Sequence, residues 1–152
     1  MTLKNLLPHP EGGLYREIFR SPHEVVAGDG RRRCALTHIY FALRPGEVSR
    51  FHRVTSDEVW NLYRGDGLRL ITWDGQTLTT TLLAAAEESF CTIVPAGVWQ
   101  AAEPLGREVL VGCSVAPGFD FVDFTLISPE TKEADQILKH DNGLSRFIIP
   151  TT

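Results

Sequence analysis

Hydrophobic and β-branched residues recur along the chain in short runs separated by turn residues. The segment CALTHIYFAL, residues 34–43, is β-branched and aromatic and ends at the turn Arg44-Pro45-Gly46. LRLITW and QTLTTTLL flank Asp74-Gly75, which predicts a hairpin with a type I′ turn, whose two central residues need positive φ. The other predicted strands are LYREIFRS, two strands within residues 46–65, SFCTIV, REVLVGCSV and FDFVDFTL. About ten short strands at turn-marked intervals predict an antiparallel sandwich or barrel.

One late segment has the pattern of a helix. Ser128 is a candidate N-cap, and Pro129 suits the first helical position. Ala134 and Leu138 follow at helical spacing until Asn142-Gly143 ends the pattern. Because helices do not alternate with strands, the pattern argues against a parallel α/β fold. We therefore predict an all-β fold with a short C-terminal helix.

Length and composition limit the classes of protein that the chain can be. A chain of 152 residues with 43% hydrophobic and 22% charged residues predicts one globular domain over residues 1–152. The net charge of −4 does not attract nucleic acid or an anionic membrane, and no run reaches the ~18 apolar residues of a membrane span. Cys34, Cys91 and Cys113 lie in apolar, strand-like surroundings, so we interpret them as buried hydrophobes of a reducing compartment. A cytoplasmic protein is expected.

Two stretches have the spacing of ligand-bearing motifs. In GEVSRFHRVTSDEVWNLYRG, residues 46–65, His52 and Glu58 are framed by glycines, and Val54 occupies the same-face position where a second ligand would be expected. In VPAGVWQ, Gln100 follows a Pro-x-Gly turn. The pattern is that of a metal centre from which some ligands have been lost.

The first stretch resembles the first motif of the cupin superfamily, with Gly46, His52, Glu58 and Gly65 in place and Val54 at the second histidine position. The second stretch is similar to the second cupin motif, with Gln100 where the third histidine would stand. PHPEGGLYRE, HRVTSDEVW, PAGVWQ and APGFDF together resemble the cupin branch called cupin type 5, a domain of unknown function, most clearly over residues 6–126. The resemblance implies a double-stranded β-helix, a jelly-roll barrel like that of the sugar-nucleotide epimerases, and a homodimer. It also implies that Glu11 and Arg16-Glu17 either line the pocket or pair strands between subunits.

The first hypothesis for the site is a metal-independent isomerase or epimerase. If His52 and Glu58 face each other across neighbouring strands, the carboxylate raises the pKa of the imidazole above ~6.5 and makes it a general acid or base. The metal-free sugar-nucleotide epimerases, which are similar in this respect, use a histidine base, its carboxylate partner and a tyrosine acid. The candidate tyrosines are Tyr15, Tyr40 and Tyr63, and the candidate carboxylates are Asp120 and Asp123.

Two alternatives stay open. One is a non-catalytic pocket for a polar or anionic metabolite such as a sugar nucleotide. The other is a metal-dependent enzyme with a weakly bound divalent transition metal on His52, Glu58 and Gln100, supplemented by a histidine from elsewhere. The histidines considered for that role are His9, His23 and His38, and the residues predicted to contact a ligand are Arg50, Trp60, Tyr63, Trp99 and Gln100. An inward Arg50 favours an anion. If these residues have only a structural role, His52 and Glu58 are a buried pair and the tryptophans are packing residues.

Overall fold

The computed structural model describes residues 3–150 of the protein. Thirteen strands and one α-helix make up its regular structure, with short 3-10 segments between them. The strands of the first half are β1 (Leu7–Pro8), β2 (Leu14–Arg20), β3 (Glu24–Val26), β4 (Arg32–Cys34), β5 (Thr37–Leu43), β6 (Ser49–Arg53) and β7 (Asp57–Arg64). The strands of the second half are β8 (Leu68–Trp73), β9 (Leu78–Leu83), β10 (Cys91–Val94), β11 (Trp99–Pro104), β12 (Val109–Ala116) and β13 (Thr125–Leu126).

The strands form two antiparallel sheets. One has six strands in the order β1-β2-β5-β12-β7-β10, and the other has five in the order β13-β6-β11-β8-β9. The strands β3 and β4 pair separately as a small hairpin. The order within each sheet brings together strands that are distant in sequence, as a jelly roll requires. The prediction of an all-β double-stranded β-helix with a short C-terminal helix is confirmed.

Two apolar clusters hold the sheets in place. The first includes Phe41, Trp60 and Leu70, which come from both sheets and are at most 1% exposed. The second packs the opposite face of the five-stranded sheet, including Phe51 and Trp73, under the C-terminal segments. Alternating side chains of β8 therefore enter different clusters: Leu68 and Leu70 belong to the first, and Ile71 and Trp73 belong to the second.

The C-terminal helix α1 spans Lys132–His140, and a 3-10 segment over Asn142–Phe147 follows it. Its N-cap is Thr131, whose Oγ1 accepts a hydrogen bond from the Ala134 amide, so the predicted cap at Ser128 is wrong. Ser128 instead closes a turn that precedes the helix, since its carbonyl oxygen accepts from the Thr131 amide at 3.2 Å. No helix in residues 3–150 is long and apolar enough to cross a membrane.

The predicted hairpin at Asp74-Gly75 joins β8 to β9, but its turn is not type I′. Gly75 has φ 101°, whereas Asp74 is not among the described residues with positive φ. The Asp74 carboxylate instead accepts hydrogen bonds from the amides of Gln76 and Thr77 at 2.8 and 2.7 Å. The aspartate side chain thus closes the turn by a local mechanism that the dipeptide pattern also permits.

Candidate active site

A cavity of about 420 Å³ opens between the two sheets at one end of the barrel. Its walls come from β2, β5, β6, β7 and β12, from the turn that carries His9 and Glu11, and from the segment Phe119–Phe124. The histidine and glutamate side chains deep in the cavity are His9, Glu11, His52 and Glu58, all of which are at most 8% exposed. Charged groups so completely removed from water are held only where partners stabilise them.

A β-bulge sets the orientation of His52. The strand β6 pairs with β11 through His52 opposite Gln100 and Ser49 opposite Ala102, so β6 has one extra residue between these pairs. The bulge brings Ser49 and His52 to the same side of the strand, although strict alternation would oppose them. Val54, at the position of the expected second ligand, also lines the cavity.

Glu11 is the carboxylate that contacts His52. Its Oε2 lies 3.0 Å from Nδ1 of His52 and accepts a hydrogen bond from the Ser49 hydroxyl, while its Oε1 lies 3.1 Å from Nδ1 of His9. The His52 Nδ1 also lies 2.8 Å from the Arg50 carbonyl oxygen. Two acceptors at Nδ1 fix the proton there, and Nε2 of His52 has no hydrogen-bond partner among the described residues. The ring is therefore held so that its other nitrogen is available.

The turn before β2 brings Glu11 to this position. The Gly12 amide donates to the His9 carbonyl oxygen at 2.9 Å, and the Arg50 amide donates to the Glu11 carbonyl oxygen at 2.7 Å, which joins the turn to β6. Gly12 has φ 111°, and a Cβ at this residue would overlap the carbonyl oxygen of Val48. Only glycine fits here, and the close approach it allows places the Glu11 carboxylate beside His52.

The charges of this cluster are strongly coupled. Burial alone would lower the pKa of His52, but the charge and hydrogen bond of Glu11, together with the charge of Glu58, raise it to about 9. Burial opposes the ionisation of Glu11 in the same way, yet His52, His9 and Ser49 bring its pKa below the ordinary value. Burial lowers the pKa of His9. At neutral pH the site therefore holds an imidazolium–carboxylate pair beside a neutral imidazole.

Glu58 lies on the neighbouring strand β7 and behaves differently. No hydrogen bond or ion pair joins it to His52 within residues 3–150, so the two do not form the directly bonded dyad that the motif suggested. Burial raises the pKa of Glu58 to about 7; the positive charge of His52 opposes this shift, and the negative charge of Glu11 adds to it. A carboxyl group with that pKa exchanges protons readily at neutral pH.

Behind Glu58, Trp60 and Gln100 form a buried polar pair. The Trp60 indole N–H donates to Oε1 of Gln100 at 2.7 Å. This bond fixes the amide orientation, because the reverse orientation would set two donors against each other. Nε2 of Gln100 is then on the side of Glu58, close enough to lower the pKa of that carboxyl, but it forms no hydrogen bond of ordinary geometry. Gln100 itself is fully buried and does not line the cavity.

The donor set does not fit the metal centre that the fold family implies. Val54 offers no donor atom. The atom of Gln100 that would bind a metal is its amide oxygen, which instead accepts a hydrogen bond from the Trp60 indole. No three His, Cys, Asp or Glu side chains within the described range are arranged to hold a metal ion. His52 and Glu58 alone would leave most of a transition-metal coordination sphere to solvent.

Four predicted ligand contacts do not line this cavity, namely Gln100 and the three residues that follow. The Arg50 guanidinium donates to the Pro10 carbonyl oxygen at 2.8 Å and does not line the cavity. Tyr63 lies on the outer face of the six-stranded sheet with its hydroxyl 2.8 Å from Nε2 of His38. Trp99 packs under the C-terminal segments. His52, Glu58 and Trp60, by contrast, are brought together in the cavity.

The cavity also contains residues that the motifs did not identify. Tyr15, one of the three candidate tyrosines, lines it, and so does Cys113, whose pKa burial raises well above its ordinary value. The interpretation of all three cysteines as buried is wrong for Cys91, which is exposed. Of the two candidate carboxylates, Asp120 lines the cavity, whereas Asp123 bonds to Arg33 at 2.6 Å outside it.

Comparisons with known proteins agree with this architecture. Residues 2–127 match the family model described as Cupin superfamily (DUF985). An uncharacterised protein of Saccharomyces cerevisiae is 30% identical over 89% of this chain and 74% of its own length. A crystal structure of a Shewanella oneidensis protein is 35% identical with a TM-score of 0.81, covering 96% of this chain and 92% of that one. A hypothetical protein from Leishmania major is 32% identical with a TM-score of 0.79, covering 94% and 90% of the two chains.

Proposed function

Because the chain belongs to the cupin superfamily, in its DUF985 branch, we propose that it is an acid–base enzyme of the isomerase or epimerase type. Its substrate is a small polar carbonyl compound, and its chemistry requires no metal. The observation that carries this proposal is the pair of proton-transfer groups in one cavity, Glu58 with a pKa of about 7 and His52 with a pKa of about 9. One is ready to accept a proton at neutral pH while the other still holds one.

The proposed reaction moves a proton beside a carbonyl group. The Glu58 carboxylate takes the proton from the carbon next to the carbonyl, and the C–H electron pair forms the double bond of an enol. The His52 imidazolium gives its Nε2 proton to the carbonyl oxygen, and Glu11 stabilises the imidazolium through Nδ1. If the proton returns to the other face of the same carbon and the enol O–H proton returns to His52, the product is the epimer. In an α-hydroxy carbonyl compound, delivery of the proton to the former carbonyl carbon, while the neighbouring hydroxyl gives its proton to His52, gives the isomer. Both routes restore Glu58 and His52.

The size of the cavity supports a small substrate. About 420 Å³ lies within the range of small-molecule sites and exceeds the volume of one sugar ring. A keto sugar, free or as part of a sugar nucleotide whose nucleotide stays at the mouth, is therefore a suitable test compound. Arg50 does not line the cavity, so an anionic group on the substrate makes no direct contact with that residue.

Exchange of substrate protons with solvent tests this function directly. We expect the protein to wash deuterium from heavy water into the carbon next to the carbonyl of keto sugars, keto-sugar nucleotides or hydroxyketones, detected by proton NMR. Exchange should persist after dialysis against a chelator, because the residues that move the proton belong to the chain. Absence of exchange over the whole panel, or exchange that a chelator abolishes and one metal restores, would overturn the proposal.

A non-catalytic binding protein is the second candidate. The observation that favours it is the set of partners of Glu11, whose carboxylate accepts hydrogen bonds from Ser49 and His52 and lies 3.1 Å from Nδ1 of His9. Such a network also suits a rigid binding site with no proton to transfer. A compound that raises the melting temperature of the protein but whose protons never exchange would favour this candidate.

We also propose that the protein is a homodimer that pairs through the outer face of the six-stranded sheet. The pairing register places Phe19, His38, Ser114, Val59 and Ile93 in one row across five strands. Phe19 is 47% and Ile93 is 63% exposed, so both ends of the row are apolar and open to solvent. Sedimentation velocity should give twice the mass of the 16.9 kDa chain; a monomer at micromolar concentration would contradict this proposal.

A further inference from the structure

Aromatic rings surround the outer half of the cavity. One side is an aromatic wall that consists of Phe119, Phe121 and Phe124. Their ring centroids are 4.9 Å apart for Phe119–Phe121, 6.0 Å for Phe121–Phe124 and 6.1 Å for Phe119–Phe124, all at steep interplanar angles. Phe124 also stacks on His52 at 5.5 Å and 26°. The wall therefore reaches from the mouth of the cavity to the proton-transfer groups.

More rings lie nearby. Tyr15 and Phe41 both line the cavity and contact the His9 ring edge-on, at 4.8 and 5.8 Å. Phe121 belongs to the aromatic wall, yet it is 49% exposed. The exposed part of the Phe121 ring therefore leaves apolar surface at the cavity mouth. A flat ligand that stacks on the ring would remove that surface from water. Aliphatic side chains would suffice to exclude water; rings additionally select a planar partner.

The charges of the lining disfavour an anion. The acidic residues of the cavity are Glu11, Glu17, Glu58 and Asp120, and its cationic groups are Arg20 and His52. Both cations are already paired, since Glu17 lies 2.7 Å from the Arg20 guanidinium and Glu11 lies 3.0 Å from His52. Asp120, and Glu58 when it is ionised, add negative charge without a cation of the cavity bonded to either. An anionic ligand would enter against this excess charge.

From the aromatic wall and the negative charge excess, we infer that the substrate is an uncharged carbonyl compound with an aromatic ring. The ring stacks at Phe121 and Phe124, and the carbonyl group reaches His52 and Glu58. This inference rests on the proposed function for the reacting end of the molecule. The selection of the ring itself depends only on the wall.

Matched probes test the two halves of the inference separately. Hydroxymethyl phenyl ketone has the neutral ring and the reacting group, and hydroxymethyl cyclohexyl ketone replaces the ring with an aliphatic one of similar size. The para-carboxylate of the phenyl ketone adds only a charge. By calorimetry we expect the phenyl ketone to bind about three- to tenfold more tightly than the cyclohexyl ketone, as one or two ring contacts allow. The carboxylate should bind more weakly than the neutral phenyl ketone.

Variants at the mouth of the cavity locate the ring. Phe121→Ala and Phe121→Leu should each weaken binding of the phenyl ketone about three- to tenfold and change binding of the cyclohexyl ketone less. Val122→Ala, at a neighbouring side chain that is 70% exposed and outside the cavity, is the matched control and should bind both ketones like the unaltered protein. Equal affinity for both ketones, tighter binding of the carboxylate, or unchanged binding by Phe121→Ala would overturn the inference.

Failure of this inference can be distinguished from failure of the proposed function. Deuterium exchange into keto sugars, which have no aromatic ring, without preferential binding of the phenyl ketone would overturn the aromatic substrate class. It would leave the acid–base function intact. Preferential binding of the phenyl ketone without exchange in any probe would overturn the acid–base function and support the aromatic class of ligand.

Discussion

Replacing Glu11 with glutamine is expected to leave His52 uncharged at neutral pH and to destabilise the fold by roughly 3 kcal/mol, the usual cost of removing one partner from a buried ion pair. The carboxylate that lies 3.0 Å from Nδ1 of His52 is the main source of its raised pKa. Without that charge the effect of burial dominates, and the pKa of His52 should fall below 6.5.

The loss of stability in Glu11→Gln should depend on pH in a defined direction. In the unaltered protein the raised pKa of His52 contributes stability that is complete below 6.5 and is lost as the pH rises through about 9. In the variant a lowered pKa has the opposite sign, because the buried neutral imidazole loses stability as the pH falls below 6.5. The difference between the two proteins should therefore be largest between pH 4.5 and 6.5. It should shrink in alkaline solution, where His52 loses its proton, and in stronger acid, where Glu11 gains one.

Urea unfolding at several pH values and an NMR titration of the His52 ring would measure both effects. Glu24→Gln is a suitable control, since Glu24 is paired with Arg32 at 3.0 Å but has a side chain that is 60% exposed. Exposed pairs contribute about 0–1 kcal/mol, so the control should unfold almost like the unaltered protein. A pKa of His52 that stays raised in Glu11→Gln would mean that Glu58, not Glu11, holds its charge.

Motif spacing predicted the part of the site that depends on neighbouring strands. His52 and Glu58 are six residues apart on β6 and β7, and both side chains enter the cavity. Alternation along β7 then places Trp60 on the same face as Glu58, as expected from the period of two. For these residues a short segment with a fixed turn determines the geometry, so their positions could be predicted from a single sequence.

Contacts between distant segments could not be predicted in this way. Glu11 reaches Ser49 across 38 residues, and the turn that allows it depends on a glycine packed against the Val48 carbonyl. The resemblance implied that Glu11 either lines the pocket or pairs strands between subunits, and no spacing joined it to His52. The side chain of Arg50 was equally inaccessible to sequence reasoning, because the bulge in β6 changes which residues share a face with His52.

The aromatic wall has only a weak signal in the sequence. FDFVDF reads as an alternating strand, and we predicted one there. In the structure only Thr125–Leu126 pairs as β13, while Phe121–Asp123 forms a 3-10 turn capped by the Asp120 carboxylate. The local capping bond competes with strand pairing, as aspartate side chains often do. The three phenylalanines therefore gather at the cavity and do not alternate between two faces of a sheet.

Replacing Glu58 with glutamine should reduce deuterium exchange about 100- to 10,000-fold, the contribution expected of one positioned general base. In the unaltered protein the exchange rate should rise with pH as Glu58 ionises near 7 and fall as His52 loses its proton near 9. Glutamine has nearly the same size and polarity but accepts no proton. The residual rate of Glu58→Gln should therefore lose the rise near pH 7.

The same substitution should also raise the stability of the fold at and above neutral pH, whereas loss of a packing residue would lower it. Its raised pKa means that the folded protein holds the proton more tightly than the unfolded chain, so stability falls as the pH rises from 4.5 to about 7. Glu58→Gln removes that loss, which amounts to at most about 1.4 kcal/mol per pH unit, and should be more stable than the unaltered protein at and above neutral pH. Glu87→Gln, at an exposed glutamate, should leave both exchange and stability unchanged. If Glu58→Gln retained full exchange, or unfolded with the same pH dependence as the unaltered protein, Glu58 would not be the base.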